Sequence, residues 1–252
     1  MTNTPAEPVM PPLAALPEDW DRALAVVAHP DDMEYGAASA VARWTGQGKQ
    51  VRYLLATRGE AGIDGVPPDQ AARVRTAEQI ASCAAVGVPE PEFLDHPDGM
   101  ISDAMLLRRQ ITAAIRRHRP DVVITVNHRE TFGPGALNMA DHRVVGQAAI
   151  DAVRDAANRW VFPDLAGPDG DPLPPWPGVR MTAISASPSP THAVDVGDHL
   201  AAGIASLRCH VAYLEGLGDS WPEPEEFLPE WAARTGERFG GRPAVAFEVF
   251  GG

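Results

Sequence analysis

Lysine is almost missing from this chain: Lys49 is the single one in 252 residues, so nearly all of the 21 basic side chains are arginine. Set against 34 acidic side chains, they leave a formal net charge of -13. That balance excludes general binding to nucleic acid or to an anionic membrane, because both require clustered positive charge. A small or neutral substrate suits it better. Cysteine is also scarce, and Cys83 and Cys209 are too few for a disulfide framework. Cys83 falls inside a predicted helix, where a small apolar residue would serve equally well. No run approaches the roughly 20 apolar residues that cross a bilayer. The N-terminal stretch has neither the basic start nor the apolar core of a secretory leader. A cytoplasmic protein without a membrane span is therefore expected. No Gly-x-Gly-x-x-Gly follows the first strand, which argues against a dinucleotide site, and no internal repeat points to a solenoid.

What is present alternates between strand and helix signals. Residues 1–20, with Pro5, Pro8, Pro11, Pro12 and Pro17, are expected to form an extended arm, and residues 21–252 a single α/β domain. The apolar run Leu24 to Ala28 predicts a buried strand, Gly36 to Thr45 a helix, and Val51 to Ala56 a second strand: one βαβ unit. A Gly-rich loop (Thr57 to Gly65) leads to a helix over Pro68 to Val86 and a short strand near Phe93. A helix over Asp103 to His118 then feeds Val122 to Val126, a β-branched run typical of a central parallel strand. A helix over Ala140 to Ala156, a strand over Arg180 to Ala186 and a helix over Val196 to Tyr213 complete the pattern. The fold class this implies is α/β, a doubly wound, mostly parallel sheet with flanking helices. Two segments depart from it. Residues 162–178 form a Pro-rich insertion expected to reshape the mouth of a site, and residues 216–241 carry Trp221, Phe227, Trp231 and Phe239, either a partial lid or an ordinary wrapping segment.

The densest chemistry lies at Ala28-His29-Pro30-Asp31-Asp32-Met33-Glu34-Tyr35-Gly36, at the carboxyl end of the first predicted strand. In open α/β sheets ligands bind at that edge. His29 and Asp32, three apart in a tight turn stiffened by Pro30, can converge on one ion, and Asp141-His142, after the central strand and near a helix start, offers a third ligand. Two imidazoles and a carboxylate suit Zn²⁺ with a fourth position open. Fe²⁺ fits the same donors. Neighbouring side chains diverge, so Asp31 is free to act as a base towards water at the ion. The same residues could instead cap the helix starting near Glu34.

This motif resembles the signature of the LmbE-like, or GlcNAc-phosphatidylinositol de-N-acetylase (PIG-L), superfamily of zinc-dependent N-deacetylases. Thr57-Arg58-Gly59-Glu60-Ala61-Gly62, Arg75-x-x-Glu78, Asp98-Gly99, Arg119-Pro120-Asp121-Val122-Val123 and Asp141-His142 are similar to the family's later motifs, in the same order. The resemblance implies a Rossmann-like fold, with His29, Asp32 and His142 as ligands of one zinc, Asp31 as general base, and Arg75 and Asp98 as contacts to a sugar-like substrate. The implied activity removes an acetyl or other acyl group from an amino-sugar-bearing small molecule, in secondary-metabolite or thiol-cofactor metabolism; a homo-oligomer is compatible with it. One departure matters. The family commonly has His-Pro-Asp-His at the distal motif, whereas this chain has Met139-Ala140-Asp141-His142, so an acid or oxyanion stabiliser is missing. His96, His128 and His192 are candidate substitutes, with His192 favoured because Pro190-Thr191-His192 follows a predicted strand end. Asp141 is expected to orient a ligand or support the helix start.

Two other readings stay open. Asp141-His142-Arg143 and His29-Pro30-Asp31 are faintly similar to motifs of two-metal phosphoesterases, which need further bridging carboxylates. A non-catalytic family member that binds metal or ligand without turnover is the other, although such a site has no need of Asp31.

Overall fold

A computed structural model describes residues 11–218 and 221–251. Residues 1–10 of the expected arm, and Asp219 and Ser220 of the aromatic segment, lie outside the described residues. The chain runs β1 (Ala14–Ala15), β2 (Arg22–Val27), α1 (Asp32–Gly36), α2 (Ala38–Gly46), β3 (Gln50–Leu55), α3 (Pro68–Ala85), β4 (Glu92–Phe93), α4 (Ala104–His118) and β5 (Val122–Val126). It continues β6 (Thr131–Gly133), β7 (Ala136–Leu137), α5 (Ala140–Ala157), β8 (Met181–Ser185), β9 (His192–Asp195), α6 (Leu200–Arg208), α7 (Val211–Leu217), α8 (Pro224–Gly236) and β10 (Ala244–Gly251).

Ala23 to Val27 and Val122 to Val126 are all buried, as strands covered on both faces must be. They pair with each other, and the sheet has the order β1-β9-β10-β8-β5-β2-β3-β4. Every pair is parallel except the two that β10 makes with β8 and β9. On one face, Trp44, Val41, Met33 and Cys83 pack from α2, α1 and α3 against Ala25, Val27, Tyr53 and Leu55. On the other, Leu107, Ile111 and Ile115 of α4 and Val145, Ala149 and Ala152 of α5 cover Leu24, Val26 and Val123. The result is the mostly parallel α/β sheet with flanking helices that the alternation predicts.

Several details differ from the sequence expectation. The first helix begins at Asp32 and breaks at Ala37, giving α1 and α2. The helix expected over Val196 to Tyr213 is interrupted at Cys209 and His210. β10 is an unexpected strand: its buried residues, Ala244, Phe247 and Glu248, do not alternate cleanly, so period-two patterning hides it. The described part of the arm, residues 11–20, lies against the sheet, with β1 paired to β9 and Trp20 buried.

The Pro-rich insertion is placed by Trp176, whose indole N–H donates to Pro120 O at 2.8 Å and whose backbone N–H donates to Ala156 O at 2.8 Å. Pro120 precedes β5, so this segment covers the amino-terminal edge of the sheet. The expectation that it reshapes the mouth of a site at the carboxyl edge is overturned.

His210, at the break between α6 and α7, is fully buried, and neither ring nitrogen has a hydrogen-bond partner. The nearest acidic group is Glu34, at 3.8 Å, and the charge of Arg75 also acts on it. Burial, with Arg75 adding, pushes its pKa down from 6.5 to about 3. Because the folded value is depressed, its contribution to stability is present above the unfolded value and lost as pH falls towards the folded one. Lowering the pH from about 6.5 to about 5 should therefore cost wild type up to about 2 kcal/mol more than a His210→Leu variant. Urea unfolding at the two pH values measures this, and equal losses in both proteins would contradict it.

Candidate metal centre and active site

Where β2 ends, the chain turns sharply and Asp32 closes the turn: its Oδ2 accepts the backbone N–H groups of Ala28 and His29 at 2.8 and 2.9 Å. One carboxylate oxygen is thus committed, and the other, Oδ1, faces His142 Nε2 at 2.9 Å and His29 Nδ1 at 3.8 Å. His29 Nδ1 and His142 Nε2 stand 3.3 Å apart. Asp31 has a left-handed backbone, φ 86°, which an L-residue adopts only at a cost. Its Oδ2 accepts from Arg75 at 2.7 Å.

The outer nitrogens of both imidazoles have acceptors. His142 Nδ1 lies 3.0 Å from Asn138 Oδ1, and Asn138 cannot be turned round, because its Nδ2 donates to the carbonyls of Asn127 and Arg129. His29 Nε2 lies 3.0 Å from Asp98 Oδ1 and 3.5 Å from Asp141 Oδ2. The outer acceptors favour the proton on each outer nitrogen, so that each neutral ring can offer a lone pair from its inner one. Two lone pairs and a carboxylate oxygen converge with no donor between them, all within 4.8 Å of one another. That donor set fits a divalent cation such as zinc. Without a cation, burial opposes charge on His29, yet Asp141, Asp32 and Asp98 outweigh it and hold its pKa well above 6.5. Burial would likewise raise Asp32, but His142 and His29 keep it well below the usual carboxylate range.

Arg75 and Asp98, which the resemblance implies as substrate contacts, are occupied within the protein. Arg75 is 2% exposed. Its guanidinium donates to Pro30 O at 2.6 Å and Gly59 O at 3.2 Å as well as to Asp31, and lies over the Tyr213 ring. Gly59 makes room for it: a Cβ there would stand 2.3 Å from the guanidinium, and its φ of +66° also favours glycine. Asp98 spends Oδ1 on His29 and Oδ2 on the N–H of Ala61, at 2.8 Å. The two residues hold Asp31 and His29 in place. Asp141 also accepts the N–H of Gly99 at 2.7 Å, which ties the start of α5 to the 98–101 loop.

None of the three candidate imidazoles joins the groups of donors that lie within 4.8 Å of one another. His192 opens β9, four strand positions from β2, which at the usual strand spacing is about 19 Å. Its Nδ1 is engaged by Thr191 Oγ1 at 2.8 Å. His96 Nε2 is held by Gln110 at 2.6 Å. His128 follows β5, is half-buried, and has an unpartnered Nδ1. Met139 is 54% exposed.

Sequence reasoning named Arg75 but missed Gln79 and Ser82, its neighbours in the rear wall of the site. Arg75, Gln79 and Ser82 lie on one face of α3, spaced i, i+4 and i+7, and all three are buried. Gln79 Oε1 accepts the N–H of Asp31 at 3.0 Å, and its Nε2 donates to Glu34 Oε1 at 3.1 Å. Ser82 Oγ donates to the same oxygen at 2.6 Å. Polar residues at helical spacing read as a solvent face, and the Arg75-x-x-Glu78 motif on the same helix is the hint that this face turns inward. Burial in this setting pushes the Asp31 carboxyl up to about 7, against the pull of Arg75 and with the charge of Asp32 adding.

Tyr35, four residues beyond Asp31, joins the site to the aromatic segment. Its ring stacks on Phe227, centroids 5.6 Å apart, and Trp221 meets it edge-on at 6.3 Å. Tyr35, Gly36, Phe132, Pro188, Leu228 and Trp231 line a cleft of about 450 Å³. Phe132 also stands edge-on to His142, at 5.9 Å. A cleft of about 790 Å³ between α7 and α8, lined by Leu214 and Trp221, touches none of the ligand residues.

Diacetylchitobiose deacetylase of Thermococcus kodakarensis is 28% identical over 232 residues, covering 90% of this chain and 82% of that protein. A 1D-myo-inositol 2-acetamido-2-deoxy-α-D-glucopyranoside deacetylase of Saccharopolyspora erythraea is 26% identical over 251 residues, covering 79% of this chain and 80% of that protein. The fold matches the solved N,N'-diacetylchitobiose deacetylase of Pyrococcus horikoshii with a TM-score of 0.81 at 24% identity, over 92% of this chain and 85% of that one. Among the described residues no helix is long and apolar enough to cross a membrane. The GlcNAc-PI de-N-acetylase family matches residues 24–153, just over half the chain. The chain therefore belongs to this PIG-L family and is a hydrolytic N-deacetylase.

Proposed function

We propose that this chain removes the acetyl group from acetylated amino-sugar small molecules, using one zinc ion held by His29, Asp32 and His142. The observation that carries this reading is the convergence of two imidazole nitrogens and a carboxylate oxygen, with the Asp31 carboxyl held separately by Arg75. When bound, zinc supplies Lewis acidity, making water easier to deprotonate and an amide carbonyl easier to attack. Asp31 takes the proton of the attacking water and returns one to the departing amine. With Met139 at the distal position and none of the candidate imidazoles in the close donor groups, we assign both transfers to Asp31. Arg75 fixes the carboxylate for this work, and the relatives' N-acetylglucosamine-type substrates supply the substrate class. The aromatic wall of Tyr35, Phe132 and Trp231 suits the apolar face of a sugar or its aglycone.

A two-metal phosphoesterase is disfavoured. His29, Asp98 and Asp141 form a second close group, but it shares His29, whose Nε2 is already oriented by both carboxylates. Asp32, the one carboxylate between the groups, has its second oxygen taken by two backbone N–H groups. The test incubates the zinc-loaded chain with N-acetylglucosamine, diacetylchitobiose and inositol or aryl N-acetylglucosaminides. Acetate and free amine should appear in equal amounts from at least one of them. Binding of zinc with no acetate released from any would favour the non-catalytic reading, and phosphate release from phosphoesters the two-metal one.

A further inference from the structure

The buried carboxyl of Glu34 is costly and unexplained by stability. It is 2% exposed, its Oε2 has no hydrogen-bond partner among the described residues, and the one basic group within 4 Å of it among them is His210, 3.8 Å away, which burial keeps neutral. An isolated buried carboxyl weakens a fold unless it does something else. Its other oxygen receives Gln79 Nε2 and Ser82 Oγ, and Ser82 is braced in turn by Ser206 Oγ at 2.7 Å. Gln79 has a single orientation in this setting. Turning its amide round would place an acceptor against the Glu34 carboxyl and a donor against the N–H of Asp31.

We infer that Gln79, locked by Glu34, is a positioning residue that sets the backbone of Asp31. It acts at the one residue of the motif with strained geometry. As the residue that caps the start of α1, Asp31 has no acceptor for its N–H within the helix that follows, and Gln79 Oε1 receives it. One turn earlier on α3, Arg75 holds the carboxyl of the same residue. Backbone and side chain of Asp31 are thus gripped from one helix face, which separates its carboxyl from that of Asp32. If Gln79 lets go, Asp31 relaxes towards an ordinary negative φ, its carboxyl moves away from the attacking water, and Asp32 keeps its own turn contacts and the ion. This inference rests on the proposed role of Asp31 as the base.

The test uses Gln79→Met, which keeps the length of the side chain and removes both hydrogen bonds. The expected result is a kcat about 10- to 100-fold lower, with KM and zinc content unchanged. A crystal structure of the variant should show Asp31 with negative φ. In an Asp31→Asn background the same substitution should cause no further loss. The exchange Glu34→Gln with Gln79→Glu reverses the bond between the two side chains but keeps an acceptor for the N–H of Asp31, and it should recover most of the lost kcat, which guards against a variant that merely folds badly. An unchanged kcat, a parallel loss of zinc, a full further loss on top of Asp31→Asn, or failure of the exchange to recover activity would each overturn the inference. Should Asp31→Asn itself leave kcat intact, the proposed mechanism fails separately, and the φ of Asp31 in the Gln79→Met crystal structure still decides whether Gln79 positions it.

Discussion

Asp31→Asn is expected to lower kcat for deacetylation by about 10²- to 10⁴-fold, or roughly 3–5 kcal/mol of transition-state stabilisation. The substitution is nearly isosteric, and the amide oxygen can still accept from Arg75 and the backbone N–H still donate to Gln79, so the local structure should persist. The ligand atoms of His29, Asp32 and His142 are untouched, so zinc content should not change. What disappears is the group that accepts a proton and returns it. Because none of the candidate imidazoles joins the close donor groups, the loss should lie towards the upper end of that range. Initial rates of acetate release with zinc analysis of the same samples make the measurement. A variant with full zinc and wild-type kcat would remove Asp31 from the mechanism.

The second large effect is loss of the ion. Removing His142 as a ligand, by His142→Ala, leaves His29 Nδ1 and Asp32 Oδ1 as the remaining inner donors and should abolish stoichiometric zinc binding and activity together. Chelation of wild type should do the same reversibly. It should also destabilise the fold, because an ion that binds only the native state adds about 2.7 kcal/mol at 100 times its Kd. For a chain of this size that corresponds to a Tm about 5–11 °C lower after chelation. Differential scanning calorimetry with and without chelator reads this directly, and an unchanged Tm together with unchanged activity would argue against a resident metal.

The parts of this molecule that are legible in its sequence share one property: their signal is local. Ala23 to Val27 and Val122 to Val126 are uninterrupted apolar runs because parallel central strands are covered on both faces, and the sheet follows from them. His29 and Asp32 are legible for the same reason, since both lie within one turn at a strand end, and His142 lies at a helix start on the same edge. What sequence reading missed is tertiary. β10 inserts antiparallel between β8 and β9, far along the chain, with irregular alternation. Gln79 and Asn138 look like ordinary polar residues of a helix and a loop, and their roles exist only because Asp31 and His142 meet them in space. Family resemblance carried Arg75 and Asp98 to the right neighbourhood but not to their partners, because a motif gives a position and not what the side chain touches. His192 was favoured from a strand end that proved to lie across the sheet.

The most direct test of the account is titration of metal-free protein with zinc while acetate release from an N-acetylated amino sugar is followed. Activity should be absent at the start and rise to a sharp break at one zinc per chain, with His142→Ala showing no such break. Full activity in the metal-free protein, or a break at two ions per chain, would contradict it.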